Sequence, residues 1–269
     1  MIKPTDTIFV IHNFNMVPND LLKYCENYVL YDASTEPGIT DRLEEEGIKY
    51  TKIQNTGHNL TTYFNYFADH YDSLPEFMCL LKGNILGRHC SAEFFQRVYT
   101  NKYFTYLYED KNVILKHDIN FLAMENMYLE KNDSWYVGSP DHPHRYFDNF
   151  NRLLQFVYQD APVPEYCIFA PGGCYIISRE QVLKNSREFY MNLNKIMSYG
   201  LEPNFPSEAH QIERMMPVIF SANYKVNPWM NNEIEFDKKI EAERLITIEN
   251  DAKRNRGQLR KFIDRILEK

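Results

Sequence analysis

No apolar run in the 269 residues reaches the roughly 18 needed to cross a bilayer. The opening stretch, MIKPTDTIFVIH, has an acid inside its short apolar run and no cleavage-like site, which argues against a signal peptide. Cysteine is sparse. Cys25, Cys79, Cys90, Cys167 and Cys174 form no C-x-x-C pair, and an odd count without metal spacing points to free thiols in a reducing compartment. A cytoplasmic protein is the expectation, and the glycosylation sequons at Asn59 and Asn132 then read as chance.

The loudest α/β signatures are missing as well. There is no G-x-G-x-x-G after the first apolar run, which argues against a dinucleotide fold of the usual kind. There is no G-x-x-x-x-G-K-[ST], so a P-loop nucleotidase is not expected, and no G-x-S-x-G, the commonest hydrolase elbow. H-E-x-x-H is absent, and with it a stock zinc site.

What is present is ordinary globular composition, 44 % hydrophobic and 25 % charged, which excludes disorder or low complexity as a description of the whole. Charge is unevenly spread. Residues 238–269 hold ten Lys/Arg and six Asp/Glu, a net of +4, so with an overall −7 the preceding residues carry −11. An acidic body argues against a nucleic-acid partner. In the basic tail Leu259, Phe262, Ile263, Ile266 and Leu267 recur at spacings of three and four, the mark of an amphipathic helix. Such a helix either docks on its own domain or contacts an anionic membrane surface, at the inner face, or a partner such as a second copy.

Short β-branched and apolar runs alternate with helical patterns over the first 82 residues. Strands are predicted at Thr7–His12, Tyr28–Tyr31, Ile48–Ile53 and Phe77–Leu81. Helices are predicted at about 18–25, 37–46 and 60–71, the second closed by Gly47. That order means βαβ units and a mostly parallel sheet. Further helices are predicted at Ala92–Val98, Asn149–Tyr158, Arg179–Tyr199 and Ser207–Ile219, with a break at Pro203–Pro206. Tyr166–Ser178 reads as two strand-like runs around Gly172-Gly173. The expected fold class is α/β, a single mixed, mostly parallel Rossmann-like sheet flanked by helices. It would occupy residues 1–232, with a charged helical extension over 233–269.

Ligands of such sheets bind at the carboxyl ends of the strands. There the sequence places His12 and Asn13, then Asp32, then Asn55, Gly57, His58 and Asn59, then Lys82, Gly83, Asn84, Arg88 and His89. Gly57 and Gly83 would allow close backbone approach to a ligand. The segment after Asn55 opens a helix, whose N-terminus favours an anion. With Lys82 and Arg88 it could hold a diphosphate. Asp32 is placed to accept from a base or ribose, or to form an Asx turn with Ser34.

Three segments carry a resemblance. Asn55-Thr-Gly-His-Asn through Tyr63, Tyr71, Leu74-Pro75 and Lys82-Gly83 resembles the N-x-G-R-E … Y-x-x-L-P-D … F-L-x-G pattern of a microbial family of unknown function. Ala170-Pro-Gly-Gly-Cys-Tyr-Ile-Ile-Ser178-Arg-Glu and Glu213-Arg-Met-Met-Pro-Val-Ile-Phe220 match its later stretches, so the likeness covers about 50–220. That family looks like nucleotide-sugar glycosyltransferases of the GT-A kind. This chain departs from the pattern with His58-Asn59 in place of Arg-Glu, and with Met216 in place of Trp.

The resemblance implies transfer of a sugar from a nucleotide-sugar co-substrate to a glycan acceptor. The alternative is a non-catalytic binding protein on the same fold. Many GT-A enzymes hold a divalent metal with Asp-x-Asp at the end of the fourth strand. Lys82-Gly-Asn84 stands there instead, so a metal-free site is expected, with cations neutralising the diphosphate. Asp141-His-Pro-His144, the remaining set of metal-like ligands, reads as a surface turn. Inverting transfer needs a base, and Glu213 is the candidate. Gly172, Gly173, His144 and His210 are assigned to the acceptor side, although Gly172-Gly173 also suits a tight turn.

Overall fold

A computed structural model describes the backbone of residues 7–109, 121–123, 127–137, 142–199 and 205–267, and their side chains apart from 121–123 and 258–267. The elements run β1 (Thr7–Asn13), α1 (Asn19–Leu22), β2 (Tyr28–Asp32), α2 (Ile39–Glu45), β3 (Thr51–Lys52), α3 (His58–Asp69), β4 (Phe77–Lys82), α4 (Ile85–Arg88) and α5 (Ala92–Val98). They continue with β5 (Thr105–Tyr106), β6 (Phe121–Ala123), β7 (Tyr128–Lys131), α6 (Phe150–Val157), β8 (Tyr166–Phe169) and β9 (Tyr175–Ser178). Four helices close the chain: α7 (Arg179–Leu183), α8 (Arg187–Met197), α9 (Ser207–Ser221) and α10 (Glu233–Leu267).

The main sheet has the order β3-β2-β1-β4-β9-β5. The β3-β2, β2-β1 and β1-β4 pairs are parallel, whereas β9 is antiparallel to both β4 and β5. The fold class is therefore the expected mixed, mostly parallel α/β sheet flanked by helices. Its central strands read as unbroken apolar runs because both faces are covered. Phe9 and Ile11 of β1 point into a layer with Leu21, Leu43, Phe94 and Phe95. Val10 points the other way, toward Tyr63, Phe64, Phe67, Phe189, Tyr190 and Met215 of α3, α8 and α9. The aromatic run of α3 is thus core, as its helical spacing predicts.

Several boundaries differ from the sequence expectation. Strand β3 is only two residues long, because it lies at the sheet edge and pairs with β2 alone at Tyr31–Thr51 and Asp32–Lys52. Helix α1 stops at Leu22, and α3 begins at His58. The stretch expected as one helix over 179–199 is two, since Ser186 caps the backbone N–H of Phe189 and restarts the turn. The two runs expected around Gly172-Gly173 are both strands, and they do not pair with each other. Strand β8 pairs with β7 in a separate sheet of order β6-β7-β8, while β9 joins the main sheet. Asp141 and Pro203 lie outside the described residues.

The C-terminal helix docks on the body through Phe236, Ile240 and Thr247, all buried. Phe236 packs against Phe156. Arg152 of α6 reaches both Thr247 and Glu243, and His144 Nε2 lies 3.0 Å from Asp251. Among the described residues no helix is long and apolar enough to cross a membrane.

Candidate active site

The chain leaves β1 toward β2 on one side and reaches β4, on the other, by way of α3. Beyond the carboxyl ends of β1 and β4 two cavities adjoin, the position where open α/β sheets bind ligands. The first, about 200 Å³, is lined by His12, Phe14, Asn55, His58, Lys82, Gly83, Asn84, Arg88 and Phe205. The second, about 160 Å³, runs on from the shared walls of His58, Lys82 and Arg88 to Asn59, His89, Gly172, His210 and Glu213. Together they reach the low end of the range for small-molecule sites, about 300–1,000 Å³.

The cleft is cationic and nearly free of acid. Lys82 at the end of β4 and the exposed Arg88 form no ion pair among the described residues. No side chain caps the N-terminus of α3, which opens at His58 with φ 55°. A positive φ on a non-glycine residue stores strain, and strain of that kind concentrates at functional sites. Four imidazoles ring the space. Burial holds His12, His89 and His210 down at a pKa of about 3, with Lys82 adding to the effect. His58 is held at about 2 by burial, with His210 and Lys82 also lowering it. At neutral pH all four are uncharged. His12 Nδ1 is tied to Thr62 Oγ1 at 2.8 Å. By contrast His58 Nε2, His89 Nε2, His210 Nε2 and Asn55 Oδ1 are buried without a hydrogen-bond partner, so polar valences in these walls stand ready for a ligand.

Glu213 is the carboxylate that faces the second cavity. Its Oε1 accepts the Gly172 N–H at 2.8 Å, and its side chain keeps 19 % exposure. Burial pushes its pKa above the ordinary glutamate value, against the opposing pull of Arg214, Lys82 and the Gly172 N–H. Arg214 is adjacent, with Nη1 3.9 Å from Glu213 Oε2. Its guanidinium is committed to Glu130 of β7, with Nη2 3.1 Å from Oε1, and lies 4.0 Å from the centroid of the Tyr136 ring. Glu213 is therefore only partly neutralised, which leaves it basic.

The turn before β9 holds these parts together. Gly173 N–H donates to Ala170 C=O at 2.8 Å. Asn59 Nδ2 donates to Gly172 C=O at 2.9 Å. Gly172 has φ +91°, and a Cβ there would come within 2.6 Å of the His89 ring. The turn reading of Gly172-Gly173 holds, and the space at Gly172 is filled by His89. The same applies to Gly57 and Gly83. A Cβ at Gly57 would meet Thr61 Oγ1 and Met197, and one at Gly83 would meet Asn13 Oδ1 at 2.6 Å. At all three positions the missing Cβ makes room for the protein's own side chains, while Gly83 and Gly172 also line the cavities.

Other expected site residues are spent elsewhere. Asp32 is fully buried and accepts from Asn13 Nδ2 at 2.9 Å, from Ser34 and from Lys52 at 2.7 Å. Its Asx-turn role is the one the structure displays. Asn13 lies behind the cleft wall, bridging Asp32 and Met16 C=O. His144 is drawn to α10 and does not line either cavity. Phe14 and Phe205 were not legible as lining residues. Phe205 lies 3.9 Å, centroid to centroid, from the His58 ring. His142 lies 4.3 Å from that of His210. Among the described residues no three His, Cys, Asp or Glu side chains converge as metal ligands.

Residues 27–233 match the family model described as Protein of unknown function (DUF3431), and the chain belongs to that family. No curated protein and no solved structure matches it.

Proposed function

We propose that the chain is a glycosyltransferase that moves a sugar from a nucleoside-diphosphate donor to a glycan hydroxyl, with inversion. The observation that carries this reading is the pairing, in one cleft, of a basic carboxylate with unpaired cations. Glu213 is fixed by the Gly172 N–H on one side, and Lys82 and Arg88 stand at the strand ends on the other. The acceptor oxygen attacks the anomeric carbon and its proton passes to Glu213. The bond from that carbon to the diphosphate oxygen breaks, and the departing charge meets Lys82, Arg88 and the first-turn N–H groups of α3. Losing one such cation costs about 2–4 kcal/mol of transition-state stabilisation, by analogy with single oxyanion donors.

Glu213→Gln tests the assignment. It preserves the hydrogen bond from Gly172 and removes the base. The expected result is donor binding unchanged and transfer abolished. Transfer at the wild-type rate in Glu213→Gln would overturn the role of Glu213. A wild-type protein that binds donor and transfers nothing would be a binding protein.

A further inference from the structure

Arg214 follows Glu213 on α9, yet its guanidinium does not bond to it. Glu213 Oε2 stays 3.9 Å from Nη1, beyond hydrogen-bond reach. The donors of Arg214 are engaged elsewhere. Nε and Nη2 both donate to the carboxylate of Glu130 on β7. Nη1 donates to His210 C=O at 2.9 Å. The ring centroids of Tyr136 and Phe169 lie 4.0 and 4.8 Å from its central carbon, which fixes the plane of the group. Glu130 is itself held. It is buried, and Trp135 Nε1 donates to its Oε1 at 2.6 Å, so both of its oxygens are taken.

A buried ion pair adds little stability over an apolar pair of similar volume. Stability alone therefore does not account for one built in beside the carboxylate at the cleft. Between two carboxylates a guanidinium closes a two-point bridge with one of them. Here it closes with Glu130.

We propose that Glu130 is a positioning residue for Glu213: by engaging Arg214 at two points it turns the guanidinium away and leaves the Glu213 carboxylate free to take the acceptor proton. This rests on the reading of Glu213 as the base. Glu130 lines neither cavity and acts through Arg214. Without Glu130 the buried cation has Glu213 as its neighbouring anion and closes on it. A carboxylate bridged by arginine is held in its charged form and is the weaker base. The raised proton affinity of Glu213 agrees with the geometry, since burial outweighs the pull of Arg214, Lys82 and the Gly172 N–H, and Glu130 adds to the rise.

The test reads the protonation of Glu213 in the full chain. The C=O stretch of its protonated carboxyl is followed against pH by infrared difference spectroscopy and assigned by its loss in Glu213→Gln. Glu130→Gln keeps the shape of that side chain and removes its charge. The titration midpoint of Glu213 is expected to fall by about 1–3 pH units, the effect of an arginine closing on a carboxylate. An unchanged or raised midpoint would overturn the proposal. Also facing Glu213 are Lys82 of β4, Arg88 and His89 of the stretch after it, His58 of α3, His210 of α9 and Cys174 before β9. The substitution alters none of them, so they act alike on both titrations. Glu130→Gln leaves a buried cation unpaired, and the double variant Glu130→Gln/Arg214→Gln is therefore measured beside it. With the guanidinium gone its midpoint is expected at or above the wild-type value, and a midpoint below that would overturn the proposal. In transfer assays the acid limb of kcat against pH is expected to move with the infrared midpoint, with the donor KM unchanged. A fallen midpoint in Glu130→Gln, with a wild type that transfers nothing, would uphold the role of Glu130 toward Arg214 and overturn the transferase reading alone.

Discussion

His58, His89 and His210 each keep a buried nitrogen without a partner, and each is held neutral far below the ordinary histidine range. This has a consequence for stability. In the unfolded chain these imidazoles take up protons as pH falls below about 6.5, whereas in the folded chain they stay neutral down to about 3 or lower. The unfolded state binds more protons over that window, so stability is complete above 6.5 and is lost progressively as pH falls. The raised Glu213 and Glu208 act in the opposite sense from about 4.5 upward. The urea midpoint is therefore expected to drop between pH 7 and pH 5, and His89→Asn to flatten that slope. A second residue-scale prediction concerns Glu208. Its Oε1 accepts the N–H groups of Arg145, Tyr146 and Phe147, and Tyr199 O–H donates to its Oε2 at 2.6 Å. Glu208→Leu orphans the three N–H groups, each worth about 1–3 kcal/mol when buried, and leaves Tyr199 O–H only the Pro143 C=O at 3.4 Å. A loss of at least about 3 kcal/mol in chemical denaturation is expected, with no direct effect at the cleft.

At the scale of elements, the Gly172 turn is the joint between α3, α9 and His89, which follows α4. Gly172→Ala adds strain at positive φ, about 1 kcal/mol or more, and drives a methyl into the imidazole. It should lower the melting temperature and, by shifting the N–H that holds Glu213, reduce transfer more than donor binding. Equal losses in both would argue that the turn only supports the fold. The strands and their polar ends were legible in the sequence because β1, β2 and β4 are short apolar runs that stop at His12, Asp32 and Lys82. Glu213 was legible through its place in a motif. The small sheet of β6, β7 and β8 was not, since its strands are three or four residues long and β8 alternates exposed and buried positions. Phe205 was missed for another reason. It is far from the strand ends in sequence, and tertiary packing alone brings it to His58.

For the whole molecule, the first part of α10 packs on the acidic body. Phe236 is fully buried against Phe156, whose ring also contacts Trp229. Phe236→Ala is expected to cost about 3–5 kcal/mol in a single cooperative transition. A first, separate melting step would show that the helix folds apart from the sheet.

In the proposed function the cleft at β1 and β4 holds a nucleoside-diphosphate sugar against Lys82 and Arg88. The most direct measurement is a thermal-shift panel of UDP-, GDP-, CMP- and dTDP-linked sugars, with and without Mn²⁺, on wild type and on Lys82→Ala. A donor at 100 times its dissociation constant stabilises by about 2.7 kcal/mol, a shift of a few degrees. A selective shift is expected with one of the UDP-, GDP- or dTDP-linked donors, present without metal and lost in Lys82→Ala, with CMP-linked sugars inert. No shift with any nucleotide, or an equal shift in Lys82→Ala, would contradict it.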